Sequence, residues 1–562
     1  MSAIDWAVLA LTLFLIVAYG IWKSRHHHNL ESFFLANKQL PWYHVCLSVM
    51  ATQASAITFL SLPGLAYSDG MRFVQFYFGL PIAMIVLCIT FIPVFHRLKV
   101  YTAYEFLEKR FDHRTRALTS LLFLLSRGLA TGISIYAPAI ILSSILDLNI
   151  NVTTCMIGLL VIIYTVYGGT RAVSYTQLLQ MSIILMSLAA AGFVVAALLP
   201  SHSGWGSAMQ LAGKMGKMNL IDWKLDFSNR YNIWSGIIGG FFLQLAYFGT
   251  DQSQVGRYLT GSSVTQSRMG LLMNGLVKIP MQFFILLIGI LVFAFYQFNP
   301  SPIFFNKNEI KAIHNSIYEA EFKSLEKQYA EINEVKNIKA LDLSRMIQSG
   351  NEPEVDKMKD ELLKINSKAN EIRNESIALM KKNKKTADVN DTNYVFLHFV
   401  TSHMPVGFIG LMVAVIFLAS MGSLAAGLNS LASATAVDFY IRSFNKTGTD
   451  KKYLAVSRFA TVAWGIFCIV SALYAGKKGN LIEVVNIIGS LFYGTILGIF
   501  LVAFYFKKIK AAEVFYAAII SELIIAALWW YDVTAFLWLN VIGCLLVILI
   551  SQIMRILKVR TK

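Results

Sequence analysis

Long apolar runs separated by short polar connections recur along the whole chain. Each run is long enough for a helix to cross about 30 Å of hydrocarbon. Because the runs are continuous rather than alternately apolar and polar, they predict helices and not the strands of a membrane barrel. The pattern therefore predicts an all-α integral membrane protein with about 13 transmembrane helices. The predicted spans lie near residues 4–22, 44–67, 75–97, 117–145, 153–169, 176–199, 232–252, 271–297, 404–440, 455–475, 483–506, 511–530 and 533–555.

One charged segment, from about Phe304 to Asn390, departs from this pattern. Apolar residues recur within it every three or four positions in two stretches, as in amphipathic helices that share a narrow apolar seam. Gly350 and Pro353 separate the two stretches, which predicts a helical hairpin. The seam positions are Tyr318, Phe322, Leu325, Tyr329 and Ile332 in the first stretch, and Met358, Leu362, Ile365, Ala369 and Ile372 in the second.

This hairpin divides the predicted chain into three parts. Residues 1–303 hold transmembrane helices 1 to 8, residues 304–392 form an extracytoplasmic helical hairpin insert, and residues 393–562 hold helices 9 to 13. Three roles for the insert stay open at this point: a solvated decoration, a docking surface for a protein partner, or a lid over the entrance to a transport pathway.

Composition and charge agree with a membrane protein. Hydrophobic residues make up 56% of the chain and charged residues only 14%, with a mean hydropathy of +0.57, which is too apolar for a water-soluble domain. If the N-terminus lies outside, most Lys and Arg residues of the short connections fall on the cytoplasmic side, as the positive-inside rule requires. We therefore expect a multi-pass protein of the cell inner (plasma) membrane with a cytoplasmic C-terminus. Basic residues beside anionic lipid explain the net charge of +17 without a nucleic-acid partner.

Polar groups inside the predicted spans are the candidates for function, because they are costly in a bilayer. No phosphate-binding loop, HExxH or GxSxG motif accompanies them, so we expect neither an enzyme nor a primary pump. Hydroxyl groups can support an unwound helix whose carbonyls bind Na⁺, or can form hydrogen bonds between helices, and their spacing leaves both interpretations open. The second span is the richest in such groups, with Ser48, Thr52, Gln53, Ser55, Thr58 and Ser61.

Eight polar residues on the core spans are candidates for solute binding. Arg127 can grip a carboxylate bidentately, or it can be a structural cation capped by helix ends. Together with Lys278 it favours an organic anion over a neutral sugar. The candidates are Gln53, Thr58, Gln75, Arg127, Gln244, Tyr247, Lys278 and Asn486.

The ninth predicted span contains a run of small residues from Ala419 to Ser430. Such residues permit close helix approach, but the run also resembles the signature of the sodium:solute symporter family. The chain is similar to a bacterial member of that family with a large extracytoplasmic helical insert, and the likeness covers nearly everything except the insert. Further similar stretches, in the family's order, are residues 48–67, 101–111, 136–138, 167–169 with 172–173, 249–252 with 257–259, and 278–280.

The resemblance implies a fold and the positions of two functional residues. The fold is a LeuT-type core of two inverted five-helix repeats, with binding sites near the middle of the bilayer. The first repeat covers about residues 44–199, and the second covers spans 7 to 11. In sugar-carrying relatives the positions of Gln244 and Tyr247 contact the solute and form the inner gate.

The resemblance also implies a sodium site that lacks one of its usual ligands. Gly422 stands where the family usually has a serine, so a cation that needs about five or six oxygens requires a replacement, such as Thr52, Gln53 or water. The implied ligands are the carbonyls of Ala51, Ala54 and Ala419 and the hydroxyl of Ser423.

A second sodium site, found in part of the family, is expected to be absent. Gln177 replaces its usual aspartate, and Ala425 and Ala426 replace its usual serines. Since nothing then offsets the dehydration of another cation, we expect at most one coupled Na⁺ per cycle.

These observations predict an ion-coupled secondary symporter, with Na⁺ as the coupling ion. It would import a small polar solute by alternating access: an organic anion such as a sialic acid or a monocarboxylate, or a sugar. Two alternatives stay open. One is a sensor or receptor that keeps the transporter fold, and the other is a proton-coupled carrier with the same fold.

Overall fold

The computed structural model describes residues 1–23, 38–98, 100–200, 204–349, 352–385, 387–444, 449–475 and 479–560. The first half of the described chain contains twelve helices. They are α1 (Ala3–Lys23), α2 (Trp42–Gln53), α3 (Ala56–Asp69), α4 (Leu80–Ile89), α5 (Phe91–Leu98), α6 (Glu105–Arg110), α7 (His113–Leu146), α8 (Ile150–Ala197), α9 (Gly204–Lys214), α10 (Gly240–Thr250), α11 (Gln252–Tyr258) and α12 (Val264–Phe298).

The second half contains the charged insert and the remaining apolar helices. A 3-10 turn (Met71–Tyr77) precedes α4, and π-helical turns precede α10 (Ser235–Gly239) and follow α17 (Thr435–Phe444). The helices are α13 (Lys307–His314), α14 (Glu319–Ser349), α15 (Glu352–Asn383), α16 (Thr392–His403), α17 (Phe408–Ala434), α18 (Asp450–Ala475), α19 (Leu481–Tyr505), α20 (Ala511–Trp530) and α21 (Phe536–Arg560).

The predicted fold class is confirmed. Among the described residues, ten helices are long and apolar enough to cross a membrane, and the bent pair α2 and α3 raises the number to eleven. A shorter apolar segment, Ile150–Val166, and the helical segment 235–250 occupy the two remaining predicted positions. One detail differs: the fifth and sixth predicted spans lie on a single unbroken helix, α8, because no proline interrupts residues 150–197.

Two spans are broken in the middle of the bundle. Helix α2 ends at Gln53 and α3 begins at Ala56, with a bend of 62° between them. Helices α10 and α11 meet at Asp251, whose backbone is extended (φ −79°, ψ 118°). Interrupted helices of this kind expose backbone groups that can bind ions and solutes in transporters.

Helix α3 is packed tightly between two neighbours. A Cβ atom on Gly64 would lie 1.8 Å from the carbonyl oxygen of Thr392 in α16, and one on Gly289 in α12 would lie 2.3 Å from the carbonyl oxygen of Pro63. Side chains at these two glycines would therefore force the helices apart. The contacts hold the short helix α3 in place beside the break.

The insert consists mainly of α14 and α15, which pack antiparallel. Lys339 bonds Glu361 across the pair at 3.0 Å. Part of the apolar seam, α13 and the loop before it form a separate buried cluster, whereas Leu362 of the seam belongs to the main core cluster of the bundle. The separate cluster consists of Ile303, Phe304, Ile313, Phe322, Leu325, Tyr329, Ala369, Leu379 and Met380. Arg373 fastens the hairpin at its base, since it pairs with Asp391 and donates to the carbonyl of Ile303 at 3.1 Å.

The two ends of the bundle differ in charge. We call the end that carries α14, α15 and the N-terminus the hairpin face. The opposite end, the basic face, holds a buried network in which Arg116 pairs with Asp438 at 2.6 Å and with Glu108 at 2.7 Å. The basic face is defined by Arg97, Lys109, Arg110, Arg114, Arg268, Arg442 and Lys451.

Candidate solute and cation site

A cavity of about 100 Å³ lies in the middle of the bundle, at the break between α2 and α3. It is bordered by α7, α10, α17 and α19 as well. Six of the predicted solute residues line it: Gln53, Thr58, Arg127, Gln244, Tyr247 and Asn486. The fold thus brings together polar side chains from four separate stretches of sequence.

Arg127 pairs with Asp251 at the end of the cavity that faces α11. The arginine donates through Nε to Oδ2 of the aspartate at 3.0 Å and also through Nη2. Tyr493 donates its hydroxyl to the same oxygen at 3.0 Å. The other carboxylate oxygen accepts the backbone N–H of Ser253 at 2.8 Å, which caps α11. The aspartate is therefore fully satisfied by protein groups.

Tyr247 completes this end of the cavity. Its ring lies 5.3 Å from the guanidinium of Arg127 and 5.9 Å from the ring of Tyr493. Its hydroxyl accepts the side-chain N–H of Gln254 at 2.6 Å. We call Arg127, Tyr247, Asp251 and Tyr493 the cavity floor, since they close the cavity on the side of the basic face.

Two amides at the cavity have unused hydrogen-bonding capacity. Both side-chain polar atoms of Gln244 are buried and have no partner in the described part of the chain. The same holds for Oε1 of Gln53. A polar solute in the cavity would therefore meet donors and acceptors that no protein group already occupies.

The break between α2 and α3 leaves two carbonyl groups without their usual helical donors. The N–H of Ser55 donates to Gln53 at 3.0 Å instead of to Ala51, and the N–H of Thr58 donates to Ser55 at 3.0 Å instead of to Ala54. Carbonyl oxygens released in this way are suitable ligands for a hard cation.

Ser423 faces the break from α17. Its hydroxyl lines the cavity and donates to the carbonyls of Ala419 at 2.9 Å and Ser420 at 3.1 Å. The hydroxyl oxygen keeps its lone pairs for another ligand. The carbonyl of Ala419 and the hydroxyl of Ser423 thus belong to one turn of α17.

Two glutamines of α8 pack against this turn. Gln177 accepts the hydroxyl of Ser48 at 2.6 Å and donates to the carbonyl of Gly422 at 3.0 Å, so its amide bridges α2 and α17. Oε1 of Gln180 is buried without a partner among the described residues. It lies 2.6 Å from the position that a Cβ atom on Gly422 would take. The sequence analysis does not single out Gln180. Its position one turn after Gln177 on the same helix could have indicated that both side chains face α17.

The other two predicted solute residues lie outside the cavity lining. Gln75 is buried and bonds the connection before α10, donating to Tyr231 at 3.1 Å and accepting the N–H of Asp222 at 3.1 Å. Lys278 is fully buried in α12, and its ammonium group has no partner in the ranges the structure describes. Asn274 and Gln282, one turn away on either side, are buried in the same way.

Comparisons with known proteins identify similar chains. A model of the sodium:solute symporter family matches residues 33–316 and 372–521. The sodium/sialic acid symporter NanT of Aliivibrio fischeri is 25% identical over 98% of this chain and 93% of its own length. The human sodium/iodide cotransporter is 31% identical over 52% of this chain, and this match spans only 46% of the human protein.

A solved structure has a similar fold. It is described as a substrate-bound, outward-open Na⁺-coupled sialic acid symporter with a novel Na⁺ site. It superposes with a TM-score of 0.75 at 22% identity and covers 99% of this chain and 98% of its own. At this level of identity the likeness shows the fold.

Proposed function

Since the chain belongs to the sodium:solute symporter family, we propose that its central cavity binds one Na⁺ together with a small solute that carries a carboxylate. The chain is a multi-pass membrane symporter with Na⁺ as its coupling ion. One observation carries the proposal: the break between α2 and α3, Ser423 and Arg127 all border the same cavity. A cation and an anion bound there would attract each other directly.

The proposed sodium site joins the α2–α3 break to α17. Its ligands are the released carbonyls of Ala51 and Ala54, the carbonyl of Ala419 and the hydroxyl of Ser423. Four oxygens are fewer than a hard cation prefers. We propose Oε1 of Gln180 as a further ligand, because it is buried, unpartnered among the described residues, and directed at Gly422. The glycine then makes room for the glutamine.

The proposed stoichiometry is one Na⁺. The side-chain N–H groups of Gln177 donate to Gly422 at 3.0 Å and to Thr52 at 3.2 Å. These oxygens therefore already receive hydrogen bonds from an uncharged amide. A second cation would have to displace that amide without gaining a carboxylate ligand, which makes its binding unfavourable.

The proposed solute is a small organic anion such as a sialic acid or a monocarboxylate. Arg127 borders the cavity. Its guanidinium has five N–H donors, and those of Nε and Nη2 bond Asp251 and Tyr493. The floor is neutral because Asp251 balances Arg127. A monoanion and one Na⁺ therefore enter together without leaving net charge in the bilayer.

The names of the relatives agree with this solute class. Two sodium/sialic acid symporters match 98% of this chain. Gln53, Thr58, Gln244 and Asn486 supply neutral polar groups that suit the hydroxyls of such a solute. A sensor or a proton-coupled carrier is not favoured, because these relatives are sodium-coupled transporters.

We propose that the hairpin face is extracytoplasmic and the basic face cytoplasmic, as the positive-inside rule requires. Alternating access would then open the cavity first towards the hairpin face, and next through the floor and the Arg116 network. Of the roles considered for the insert, we propose a lid. Helix α16 adjoins its base and packs on α3, where Asn393 and Ser61 bond at 2.7 Å.

The test is uptake by proteoliposomes that contain the purified protein. An inward Na⁺ gradient should drive accumulation of a labelled sialic acid or short monocarboxylate, with one Na⁺ per solute. A neutral sugar such as glucose serves as the control. Accumulation of glucose but of neither acid would overturn the solute class, and accumulation driven equally by a pH step in sodium-free buffer would overturn the coupling ion.

A further inference from the structure

Arg257 in α11 is a buried cation without a carboxylate partner. It is 3% exposed, and its guanidinium donates to the hydroxyl of Ser174 at 3.2 Å. No acidic residue within the described ranges pairs with it. The buried arginines Arg116, Arg127 and Arg373 differ, because each pairs with an aspartate.

An unpaired charge at this depth is costly. Removing one partner from a buried ion pair is strongly destabilising, because the remaining charge is left uncompensated. In a transmembrane segment such residues pair with other groups or face a cavity. The position of Arg257 therefore calls for an anion that the described part of the chain does not provide.

A small cavity lies beside Arg257, between α11 and α17. It has about 20 Å³ of free space, which is enough for one particle the size of a water molecule or a chloride ion. Six of its eight lining residues have polar side chains: Gln252, Ser253, Arg257, Asn429, Ser430 and Ser433.

Asn429 supplies a second donor to this cavity. It is 3% exposed, and neither of its side-chain polar atoms has a partner in the part of the chain described by the structure. The serine hydroxyls are already engaged: Ser430 donates to Gly427 at 2.7 Å and Ser433 donates to Ser430 at 3.0 Å. The guanidinium of Arg257 and the amide N–H₂ of Asn429 therefore have spare hydrogen-bond donors, which suits an anion.

The small cavity lies just beyond the floor of the central cavity. Arg257 follows Asp251 by six residues, which is about 9 Å along a helix. Helix α11 runs from the floor towards the basic face, where Leu40 pairs with Gly261. An anion leaving the central cavity in that direction would pass Arg257 next.

We propose that Arg257 and Asn429 form a second anion-binding site, which takes a small monoanion. In the present conformation the space admits only a chloride-sized ion. A solute carboxylate reaches the site only after the floor opens. Binding of a carboxylate here rests on the proposed function, whereas binding of chloride does not. The site would neutralise Arg257 and would give a departing carboxylate a place to bind on its way to the basic face.

The first experiment measures thermal unfolding of the purified full-length protein in detergent, with chloride titrated against methanesulfonate, a larger anion without a carboxylate, at constant Na⁺. Chloride should raise the melting temperature. The shift should vanish in Arg257→Gln and should need about tenfold more chloride in Asn429→Ala, which keeps the charge and loses one hydrogen bond. Arg127→Gln should keep the shift. Equal melting temperatures in chloride and methanesulfonate, or a full shift in both Arg257→Gln and Asn429→Ala, would overturn the site.

The second experiment follows efflux of a labelled carboxylate from preloaded proteoliposomes without chloride. Asn429→Ala should slow efflux several-fold while leaving solute binding at the central cavity unchanged. If Asn429→Ala shows normal efflux but a weakened chloride shift, the site binds chloride and not the departing carboxylate. If the wild type bound no carboxylate with or without Na⁺, the proposed solute class would fail, whereas the chloride result would still decide the second site.

Discussion

The two broken spans place very different chemistry around the same cavity. At the break between α2 and α3, residues 54 and 55 are uncharged, and the carbonyls of Ala51 and Ala54 lack helical donors. At the break between α10 and α11, Asp251 carries a charge, but Arg127, Tyr493 and the N-terminus of α11 already satisfy it. The first break therefore offers oxygens to a cation from solution, whereas the second is neutralised by the protein.

This difference explains how one cavity accommodates two opposite charges. A break with open carbonyls attracts Na⁺, and a break with a neutralised carboxylate keeps a guanidinium in place without repelling an incoming anion. If both breaks held free carboxylates, the cavity would favour cations alone. Changes at Asp251, Ser423 and Gln180 each alter one side of the comparison.

Removing the charge from the second break should have the largest effect. Asp251→Asn leaves Arg127 buried without a carboxylate, so we expect the free energy of unfolding to fall by about 3–5 kcal/mol. Thermal unfolding in detergent measures the change, and uptake should be lost. The control is Arg230→Gln at the half-exposed pair with Glu483, where less than about 1 kcal/mol should be lost. Unchanged stability of Asp251→Asn would contradict the role given to the ion pair.

Asp388 at the base of the hairpin is a buried carboxylate that pairs with no cation in the described ranges. Burial, with the carboxylates of Glu309 and Asp391, raises its pKa from 3.8 to about 7. The folded state therefore holds the proton more tightly than the unfolded state does. This contribution to stability is complete below pH 4 and is lost as the pH rises towards 7, by up to about 2 kcal/mol between pH 5 and 7.

The measurement is the melting temperature of wild type and Asp388→Asn across that range. The variant retains an oxygen for the hydroxyl of Tyr394, which bonds Asp388 at 3.0 Å. We expect the wild type to lose stability relative to the variant as the pH rises. Parallel curves would show that burial does not penalise this carboxylate.

Removing the ligand that faces the first break from α17 should weaken sodium binding with little effect on folding. Ser423→Ala should lower the affinity for Na⁺ about tenfold, or about 1.4 kcal/mol, because the cation loses one oxygen. Ser551→Ala is the matched control, since that buried hydroxyl also donates to the carbonyl four residues earlier, at 2.6 Å, and lies in α21. Equal Na⁺ affinities in the two variants would exclude Ser423 from the site.

A smaller effect is expected at the proposed replacement ligand. Gln180→Met keeps the size of the side chain and removes Oε1, so the affinity for Na⁺ should fall about threefold, less than 1 kcal/mol. Sodium titration of the thermal shift measures the change. Wild-type affinity in this variant would show that Gln180 fills space beside Gly422 without touching the ion.

The sequence predicted the membrane helices well because each apolar run must cross the same thickness of hydrocarbon. It also singled out the second span as the richest in polar residues, and the structure has a helix break in that span, after Gln53. It could not predict the second break: no proline or glycine cluster accompanies Asp251, and the extended backbone there depends on partners from α7 and α19. Local sequence does not reveal partners that lie more than 100 residues away.

The predicted solute residues show the same limit. Gln53, Thr58, Arg127, Gln244, Tyr247 and Asn486 line one cavity, yet Gln75 and Lys278 lie elsewhere in the buried core. In the sequence all eight are polar residues on or near apolar spans. Whether such a side chain faces a cavity, a connection or another helix depends on how the helix is rotated, and only packing determines that.

The most direct test of the account is the reciprocal coupling of the two ligands in purified protein. The affinity for a sialic acid or short monocarboxylate is measured with Na⁺ and with choline in its place, and the affinity for Na⁺ is measured with and without the acid. The account predicts that Na⁺ strengthens solute binding about tenfold or more, and that the solute strengthens Na⁺ binding by the same factor. Equal solute affinity in Na⁺ and choline would contradict a shared cavity for the ion and the solute.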